Sequence, residues 1–239
     1  MSNKKTKEGR SYTEKELSKL NQTYVEMTAA ERLNDGLDRF GEIVVASSFG
    51  LEDVAILDLV YDELERSPPV VFLDTLHHFQ ETLDLVDEFQ EEYGLDLIVY
   101  TPKNVDTKQE FREKYGELWK TDVERYHQVT KLDQIERALE GRDAWVTGIR
   151  REQAVTRKEA QPVEWDENHG LVKLNPIYDW TRADVEEYVS ENEVPYNPLH
   201  DQGYLSIGDE PLTEPVADND DQRSGRWSDS DKTECGLHE

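Results

Sequence analysis

Four short segments carry residue types that could bind an anion or attack one. The first is Ser47-Ser48-Phe49-Gly50, which lies between an apolar run and a helical pattern. Hydroxyl residues and Gly at such a junction expose backbone N–H groups and a helix N-terminus to phosphate or sulfate. The segment is neither a Walker loop nor a dinucleotide-binding Gly-x-Gly-x-x-Gly loop. A tight turn capped by Ser is the alternative interpretation.

The second segment contains Asp74 and Thr75, followed by the adjacent histidines His77 and His78. Asp74 and Thr75 end an apolar run, so they could contact a ligand at a strand end or cap the next helix. Adjacent histidines rarely face the same ion, and the sequence shows no other suitable cluster of metal ligands. A metal site is therefore not predicted.

The third segment combines Gly148 with a concentration of positive charge. Four basic residues and one acidic residue fall within positions 150–158, in a chain whose formal net charge is −27. Arg150 and Arg151 are the main candidates, because guanidinium groups bind phosphate or sulfate through paired hydrogen bonds. A solvated face of ion pairs is the alternative.

The fourth segment is Glu234-Cys235-Gly236-Leu237-His238, which contains the only cysteine of the chain. A single cysteine excludes a disulfide within the chain and any site that needs four thiolates from one subunit. A thiol in a polar tail, with His238 nearby, could act as a nucleophile, although a bystander thiol is the alternative.

Alternating strands and helices are predicted to position these segments. Apolar runs at 42–47, 69–73, 96–100 and 143–147 predict strands, and the stretches between them carry helical patterns, with helices at 51–65 and 79–93. A helix over 11–34, two short strands at 163–165 and 171–174, and a helix over 181–191 are also predicted. The order favours an α/β fold with a doubly wound, mostly parallel sheet, whose ligands lie at the carboxyl ends of the strands.

The chain divides into three predicted parts. These are an N-terminal arm and helix (1–40), an α/β nucleotide-binding catalytic domain (41–194) and a C-terminal tail (195–239). Positions 209–239 hold ten acidic and three basic residues, which is typical of a mobile tail. The tail nevertheless contains a cysteine, two arginines and a tryptophan, so we expect it to order over a ligand site.

The charge restricts the function and the environment. With 54 acidic and 27 basic residues, the chain is unsuited to general nucleic-acid binding. Two interpretations of the acidity remain: adaptation to a high-salt cytoplasm, which we favour, and a functional acidic face. No run of 18 apolar residues and no secretory signal is present, so a cytoplasmic protein without a membrane anchor is expected.

Taken together, the four segments resemble the phosphoadenylyl-sulfate reductase family of sulfate assimilation over roughly residues 40–239. The Ser47–Gly50 loop resembles the family's modified PP-loop, which is related to the phosphate loop of adenine nucleotide α-hydrolase-like enzymes. The remaining matches follow in order: Leu-Asp-Thr, Thr-Gly-Ile-Arg-Arg-x-Gln, Lys-x-Asn-Pro-Ile and the terminal Glu-Cys-Gly-Leu-His. The resemblance implies that Cys235 is catalytic. It also implies a set of substrate-binding residues: Ser47, Ser48, Phe49, Gly50, Asp74, Thr75, Gly148, Arg150, Arg151, Lys173, Arg223, Arg226 and His238.

The same resemblance distinguishes two branches of the family. Reductases of adenylyl sulfate carry Cys-Cys and Cys-x-x-Cys, which bind a 4Fe–4S cluster. The corresponding positions here are Tyr126, His127, Asp209 and Leu212. The chain therefore resembles the branch without a cluster, and no cofactor is expected.

The resemblance implies reduction of 3′-phosphoadenylyl sulfate to sulfite and adenosine 3′,5′-bisphosphate. Thioredoxin or glutaredoxin would supply electrons to a homodimer. Reduction of adenylyl sulfate, an adenylating PP-loop enzyme such as an ATP pyrophosphatase, and a non-enzymatic nucleotide-binding regulator are the alternatives.

Overall fold

The computed structural model describes residues 3–5, 11–216, 225–226 and 236. The strands are β1 (Asn3–Lys5), β2 (Ser11–Thr13), β3 (Ile43–Ser47), β4 (Val70–Leu73), β5 (Leu97–Tyr100), β6 (Ala144–Val146), β7 (Val163–Asp166) and β8 (Leu171–Leu174). The α-helices are α1 (Glu14–Tyr24), α2 (Ala29–Arg39), α3 (Leu51–Asp58), α4 (Gln80–Tyr93), α5 (Lys108–Tyr115), α6 (Leu118–Thr121), α7 (Val123–His127), α8 (Asp133–Ala138) and α9 (Arg182–Glu191). Five-residue π-helical turns extend α3 at Leu59–Glu63 and join α7 to α8 at Gln128–Leu132.

Strands β3 to β8 form a six-stranded sheet in the order β5-β4-β3-β6-β8-β7, and β1 pairs separately with β2. All neighbours in the larger sheet are parallel except β7 and β8. The predicted α/β class and mostly parallel sheet are confirmed. The strand order reverses between β3 and β6, so a crevice is expected at the carboxyl ends of these two strands.

The centre of the sheet is buried on both faces. Ile43 and Val45 of β3 pack into one apolar cluster with helices α2, α3 and α4, while Val44 between them packs into a second cluster with Trp145 and α8. Side chains that alternate between two apolar clusters explain why the strands are continuous apolar runs. This rigid sheet holds the loops at its carboxyl edge in place.

The predicted helix over 11–34 is wrong, because the segment forms two helices. Each helix begins with its own capping box, in which a Thr at the cap and a Glu three residues later bond to each other's backbone N–H groups. Thr13 pairs with Glu16 and Thr28 with Glu31. The second capping box starts a new helix within a stretch whose sequence pattern predicts a single helix.

The start of the predicted tail packs against the α/β domain. Asn197 Nδ2 donates to Thr82 Oγ1 at 3.0 Å, and the backbone N–H of Glu210 donates to the carbonyl oxygen of His77 at 2.8 Å. We call residues 198–214 the strap. Among the described residues, no helix has the length and apolarity needed to cross a membrane.

Candidate functional site

A cavity opens where β3, β4 and β6 end, and the strap forms its opposite wall. Ser47 and Ser48 follow β3, Thr75 follows β4, and Thr147 and Gly148 follow β6. The cationic and histidine side chains at its wall are Lys131, Arg157, Arg182, Arg226, His78 and His200. The cavity therefore lies at the predicted edge of the sheet, and the structure places these cations there.

The Ser47–Gly50 loop is a turn that leads directly into α3. Gly50 caps α3 without a side chain, so the helix N-terminus faces the cavity through backbone alone. Ser48 donates both its backbone N–H and its hydroxyl to Asp53 Oδ2, at 2.6 and 2.8 Å. Phe49 has a left-handed backbone with φ of 56° and a ring buried against Phe72, so its side chain does not line the cavity.

Gly148 is required by the close approach of the segment after β6 to the first turn of α3. A β-carbon on Gly148 would lie 2.6 Å from Asp53 Oδ1 and 3.0 Å from Cβ of Glu52. Both distances are shorter than van der Waals contact, and Gly is the residue that permits such an approach. Gly148 lines the cavity and lets the two segments meet, while its predicted role in substrate binding stays a prediction.

Asp53, on the first turn of α3, is the carboxyl group that accepts the hydrogen bonds of Ser48. Burial raises its pKa from 3.8 to about 6, against the opposing effect of the hydrogen bonds from Ser48. A raised carboxyl pKa favours the folded state below pH 4, and this contribution is lost as the pH rises through 6. The charge on the first turn of α3, directly after the Ser47–Gly50 loop, therefore changes near pH 6.

We expect an Asp53→Asn variant to gain melting temperature relative to the parent as the pH is raised from 4 to 6, with no further gain above that range. Other carboxyl groups are common to both proteins, so their titration cancels in the difference. The measurement is the thermal unfolding of both proteins at matched salt across this range. A constant difference between pH 4 and 7 would show that Asp53 titrates normally.

Arg150 does not line the cavity, and its predicted role as a substrate-binding residue stays a prediction. Its guanidinium is fully buried and donates from Nε and Nη2 to Glu52 Oε1, at 3.0 and 2.7 Å. Burial raises the pKa of Glu52, but the charge and hydrogen bonds of Arg150 outweigh this and hold that pKa below its usual range. Arg150 therefore supports α3 and the adjacent loop from behind.

Arg151, Lys173 and Asp74 also lie outside the cavity wall. Arg151 donates to the carbonyl oxygen of Ala160 at 2.7 Å and stacks over the ring of Tyr178. Lys173 forms an ion pair with Glu164 at 2.8 Å. Asp74 Oδ1 accepts from the backbone N–H of Leu76 at 2.7 Å. The structure does not bring these three residues to the cavity wall, and their predicted roles in substrate binding stay predictions. The same turn holds Leu76 itself, at a φ of 64°.

Thr75 belongs to a buried polar network that ties the strap to the sheet. Asp209 of the strap is fully buried, accepts from Thr75 Oγ1 at 2.6 Å and pairs with Lys131 Nζ at 2.5 Å. Burial raises the pKa of Asp209, but the charges of Lys131 and His78 outweigh it and place the pKa well below its usual range. Asp209 is therefore held as a carboxylate inside the wall of the cavity.

The adjacent histidines make backbone and aromatic contacts. His77 Nδ1 lies 2.8 Å from the carbonyl oxygen of Thr75, and its ring packs against Trp119. His78 Nε2 lies 3.0 Å from the carbonyl oxygen of Leu73, and burial lowers its pKa. Within the described ranges, no three His, Cys, Asp or Glu residues gather in a way that could hold a metal ion.

The positions that the family resemblance assigns to cluster cysteines meet in this region. Tyr126 and His127 are buried at the end of α7, and Leu212 packs against the apolar cluster that contains Tyr126. Burial, followed by the charge of Asp209, raises the pKa of Tyr126 well above its usual value. In place of four thiols, these positions therefore carry the phenol of Tyr126, the imidazole of His127, the carboxylate of Asp209 and the aliphatic side chain of Leu212.

The C-terminal segment is described at two places. Gly225 and Arg226 lie along the strap, and Arg226 lines the cavity. Gly236 lies beside the Leu132 side chain, next to the Lys131 wall of the cavity. The other predicted tail residues, Arg223, Cys235 and His238, lie outside the described residues.

Sequence reasoning missed several residues of the wall. Lys131, Arg182 and His200 line the cavity, but none belongs to the motifs on which the prediction rested. Arg157 belongs to the basic segment at 150–158, and Asp209 stands at a position where the other branch of the family carries a cluster cysteine. The concentration of positive charge at 150–158 was a usable signal for Arg157, whereas Lys131 and Asp209 are 78 residues apart and carry no local signal.

Comparison with known proteins identifies the class that this fold and cavity define. The phosphoadenosine phosphosulfate reductase domain family matches residues 42–215, and the chain belongs to this family. Relatives of the chain carry the names of two kinds of reductase, which differ in their substrate. The chain is 43% identical over 213 residues to an adenosine 5′-phosphosulfate reductase of Lysinibacillus sphaericus, covering 88% of this chain and 91% of the relative. It is 45% identical over 199 residues to a phosphoadenosine phosphosulfate reductase of Emericella nidulans, covering 80% of this chain and 65% of the relative.

Solved structures agree with the assignment. The phosphate complex of the phosphoadenylyl-sulfate reductase from Candida auris superposes with a TM-score of 0.80 at 35% identity, over 87% of this chain and 99% of that one. The flavin mononucleotide adenylyltransferase of Candida glabrata shares the fold, with a TM-score of 0.56 at 16% identity, over 85% and 69% of the two chains. The protein thus belongs to a family of oxidoreductases that act in sulfate reduction, and it has a PP-loop-like α/β fold.

Proposed function

We propose that this protein reduces 3′-phosphoadenylyl sulfate to sulfite and adenosine 3′,5′-bisphosphate. The observation that carries the proposal is the cavity at the β3–β6 switch point. There the Ser47–Gly50 turn and the ends of the strands line the same space as Lys131, Arg157, Arg182 and Arg226. A helix N-terminus opposite guanidinium groups is a general arrangement for binding phosphate and sulfonate.

Cys235 supplies the chemistry in this proposal. Its thiolate attacks the sulfur of the substrate, the S–O bond to the nucleotide phosphate breaks, and a Cys–S–SO₃⁻ thiosulfonate remains. A thiolate of an external dithiol protein then attacks the Cys235 sulfur and expels sulfite, forming a mixed disulfide. The second thiol of the donor resolves that disulfide and restores Cys235. The donor loses two electrons, which balances the two gained by the sulfonyl group, and thioredoxin or glutaredoxin is the natural class of donor.

An iron–sulfur cluster does not fit the residues present. Tyr126, His127, Asp209 and Leu212 offer no thiolate, and Asp209 is already engaged by Thr75 and Lys131. A cluster would have to displace this buried network.

Protein purified anaerobically is therefore expected to be colourless, without the broad visible absorption of thiolate-to-iron charge transfer. The measurement is an absorption spectrum together with iron and sulfide analysis. Stoichiometric iron and sulfide would contradict the proposed branch.

The preference for a 3′-phosphate rests on two supports. The chain lacks the cysteines that the family resemblance links to adenylyl sulfate. Three arginines also line the cavity, together with two acidic side chains of α3 and the ion pair of Lys131 with Asp209. A 3′-phosphate adds negative charge that such a wall can stabilise. Relatives carry both names, so adenylyl sulfate is the alternative substrate.

Two other functions are less well supported. An adenylating PP-loop enzyme handles ATP with a Lys in its phosphate loop, whereas Gly50 is followed here by Leu51, Glu52 and Asp53. It would also have no use for a terminal cysteine. A non-enzymatic regulator would not need the cysteine either, which makes thiol-dependent turnover the discriminating property.

The test is a side-by-side assay of sulfite release from 3′-phosphoadenylyl sulfate and adenylyl sulfate, with reduced thioredoxin in both reactions. We expect a kcat/KM at least tenfold higher for the 3′-phosphorylated substrate, because one charged hydrogen bond contributes about 1.5–3 kcal/mol. Equal values would overturn the substrate preference. Sulfite from neither substrate would overturn the reductase proposal itself.

A further inference from the structure

We propose that Gly208 is a positioning residue that admits the guanidinium of Arg226 to the wall of the cavity. The inference rests on the proposed function, in which this cavity binds the phosphate and sulfonate groups of a nucleotide. Gly208 is not among the predicted site residues. Its role follows from what surrounds it in the strap.

Arg226 reaches the cavity by crossing the strap at Gly208. Its Nη1 donates to the carbonyl oxygen of Ile207 at 3.1 Å and lies 3.5 Å from Ser206 Oγ. A β-carbon on Gly208 would overlap the guanidinium carbon and both of its terminal nitrogens. Gly208 and Arg226 both line the cavity, so the guanidinium occupies the space that any side chain at position 208 would take.

The backbone around Arg226 is fixed independently of its side chain. Arg226 pairs with Thr213 in an antiparallel bridge, and the N–H of Glu214 donates to the carbonyl oxygen of Gly225 at 2.9 Å. Gly225 lies so close to the strap that a β-carbon there would overlap the Glu214 carbonyl oxygen and lie 2.9 Å from Val216 Cγ1. The chain at 225–226 is therefore held by backbone contacts.

These two glycines predict different consequences of an added methyl group. At Gly225 the methyl group would strike backbone, so the strap and the C-terminal segment would separate. At Gly208 the nearest atoms that it would meet belong to the end of a long, flexible side chain, which can rotate away without unfolding the strap. Gly208→Ala should therefore move the Arg226 charge out of the cavity while leaving the fold intact.

The role in binding follows from the chemistry of the displaced group. A guanidinium presents paired N–H donors that match phosphate and sulfonate oxygens, and a shift of its position removes that match. Gly208 thereby sets the affinity for the anionic part of the ligand through Arg226. Gly208 itself need not contact the ligand.

A double-mutant cycle tests this coupling. The dissociation constant of adenosine 3′,5′-bisphosphate is measured by calorimetry for the parent, Gly208→Ala, Arg226→Ala and the double variant. We expect each single variant to bind about tenfold more weakly, and the double variant to bind no more weakly than Arg226→Ala. Arg66→Ala, which removes one positive charge from the exposed pair with Asp38, is the control and should bind like the parent.

Thermal unfolding separates positioning from simple damage. Gly208→Ala should keep the melting temperature of the parent, whereas Gly225→Ala should lower it. Parent-like affinity in Gly208→Ala, or fully additive losses in the double variant, would overturn the inference while leaving the proposed function intact. If the parent itself fails to bind the nucleotide, the proposed function fails first.

Discussion

A Cys235→Ser variant is expected to release no sulfite, yet to bind adenosine 3′,5′-bisphosphate as tightly as the parent. Serine preserves the size of the side chain but lacks a nucleophilic thiolate near neutral pH, so the step that forms the thiosulfonate is lost. The measurement is sulfite release under saturating substrate and thioredoxin, with nucleotide affinity determined on the same preparations. The loss of rate should reach the detection limit, because the chain has no second cysteine to replace the first.

Steady turnover by the serine variant would remove Cys235 from the mechanism. A disulfide between two copies of Cys235 across a dimer could also supply two electrons, and it has a distinct signature. In that case, parent protein treated with substrate alone would release sulfite and run as a covalent dimer on a non-reducing gel. The proposed mechanism predicts that the protein runs on this gel as a single chain without a covalent cross-link, and that Cys235 retains the sulfonate.

An Arg150→Ala variant is expected to lose about 3–5 kcal/mol of unfolding free energy, together with most of its nucleotide affinity. Arg150 is fully buried and pairs with Glu52 on the first turn of α3, so its removal leaves a carboxylate uncompensated beneath the phosphate-type loop. The measurement is denaturant unfolding combined with nucleotide titration. A second change, Glu52→Gln, should restore part of the lost stability because it removes the orphaned charge.

The matched comparison is Arg66→Ala, which breaks a more exposed pair with Asp38 and should cost less than about 1 kcal/mol. A different result is expected if Arg150 contacts the ligand directly, as the sequence suggested. The variant would then keep the stability of the parent and lose only affinity. That outcome would contradict the supporting role that the structure gives to this residue.

The fold could be predicted because its signals are local. Each parallel strand is a short apolar run, and Gly94 ends α4 at a φ of 62°, where glycine is favoured. The one error among the early helices arose because a helical pattern continues across two capping boxes. Only the recognition of Thr28 and Glu31 as a second box would have divided it.

The site could be predicted only in part, since residue type does not determine depth. The basic segment at 150–158 reads as one cluster, but Arg150 turns inward to Glu52 while Arg157 reaches the cavity. The pair of Lys131 and Asp209 depends on the strap folding back over β4, which no local pattern encodes. The role of Gly208 likewise exists only because a distant arginine crosses it.

The most direct test of the proposed reaction is the mass of the protein after a single turnover. Reduced protein is mixed with 3′-phosphoadenylyl sulfate in the absence of any dithiol, and the intact chain and its Cys235 peptide are weighed. The proposal predicts a monomer heavier by one SO₃ group on that peptide, with sulfite released only after thioredoxin is added. An unmodified Cys235 after the substrate has been consumed would contradict it.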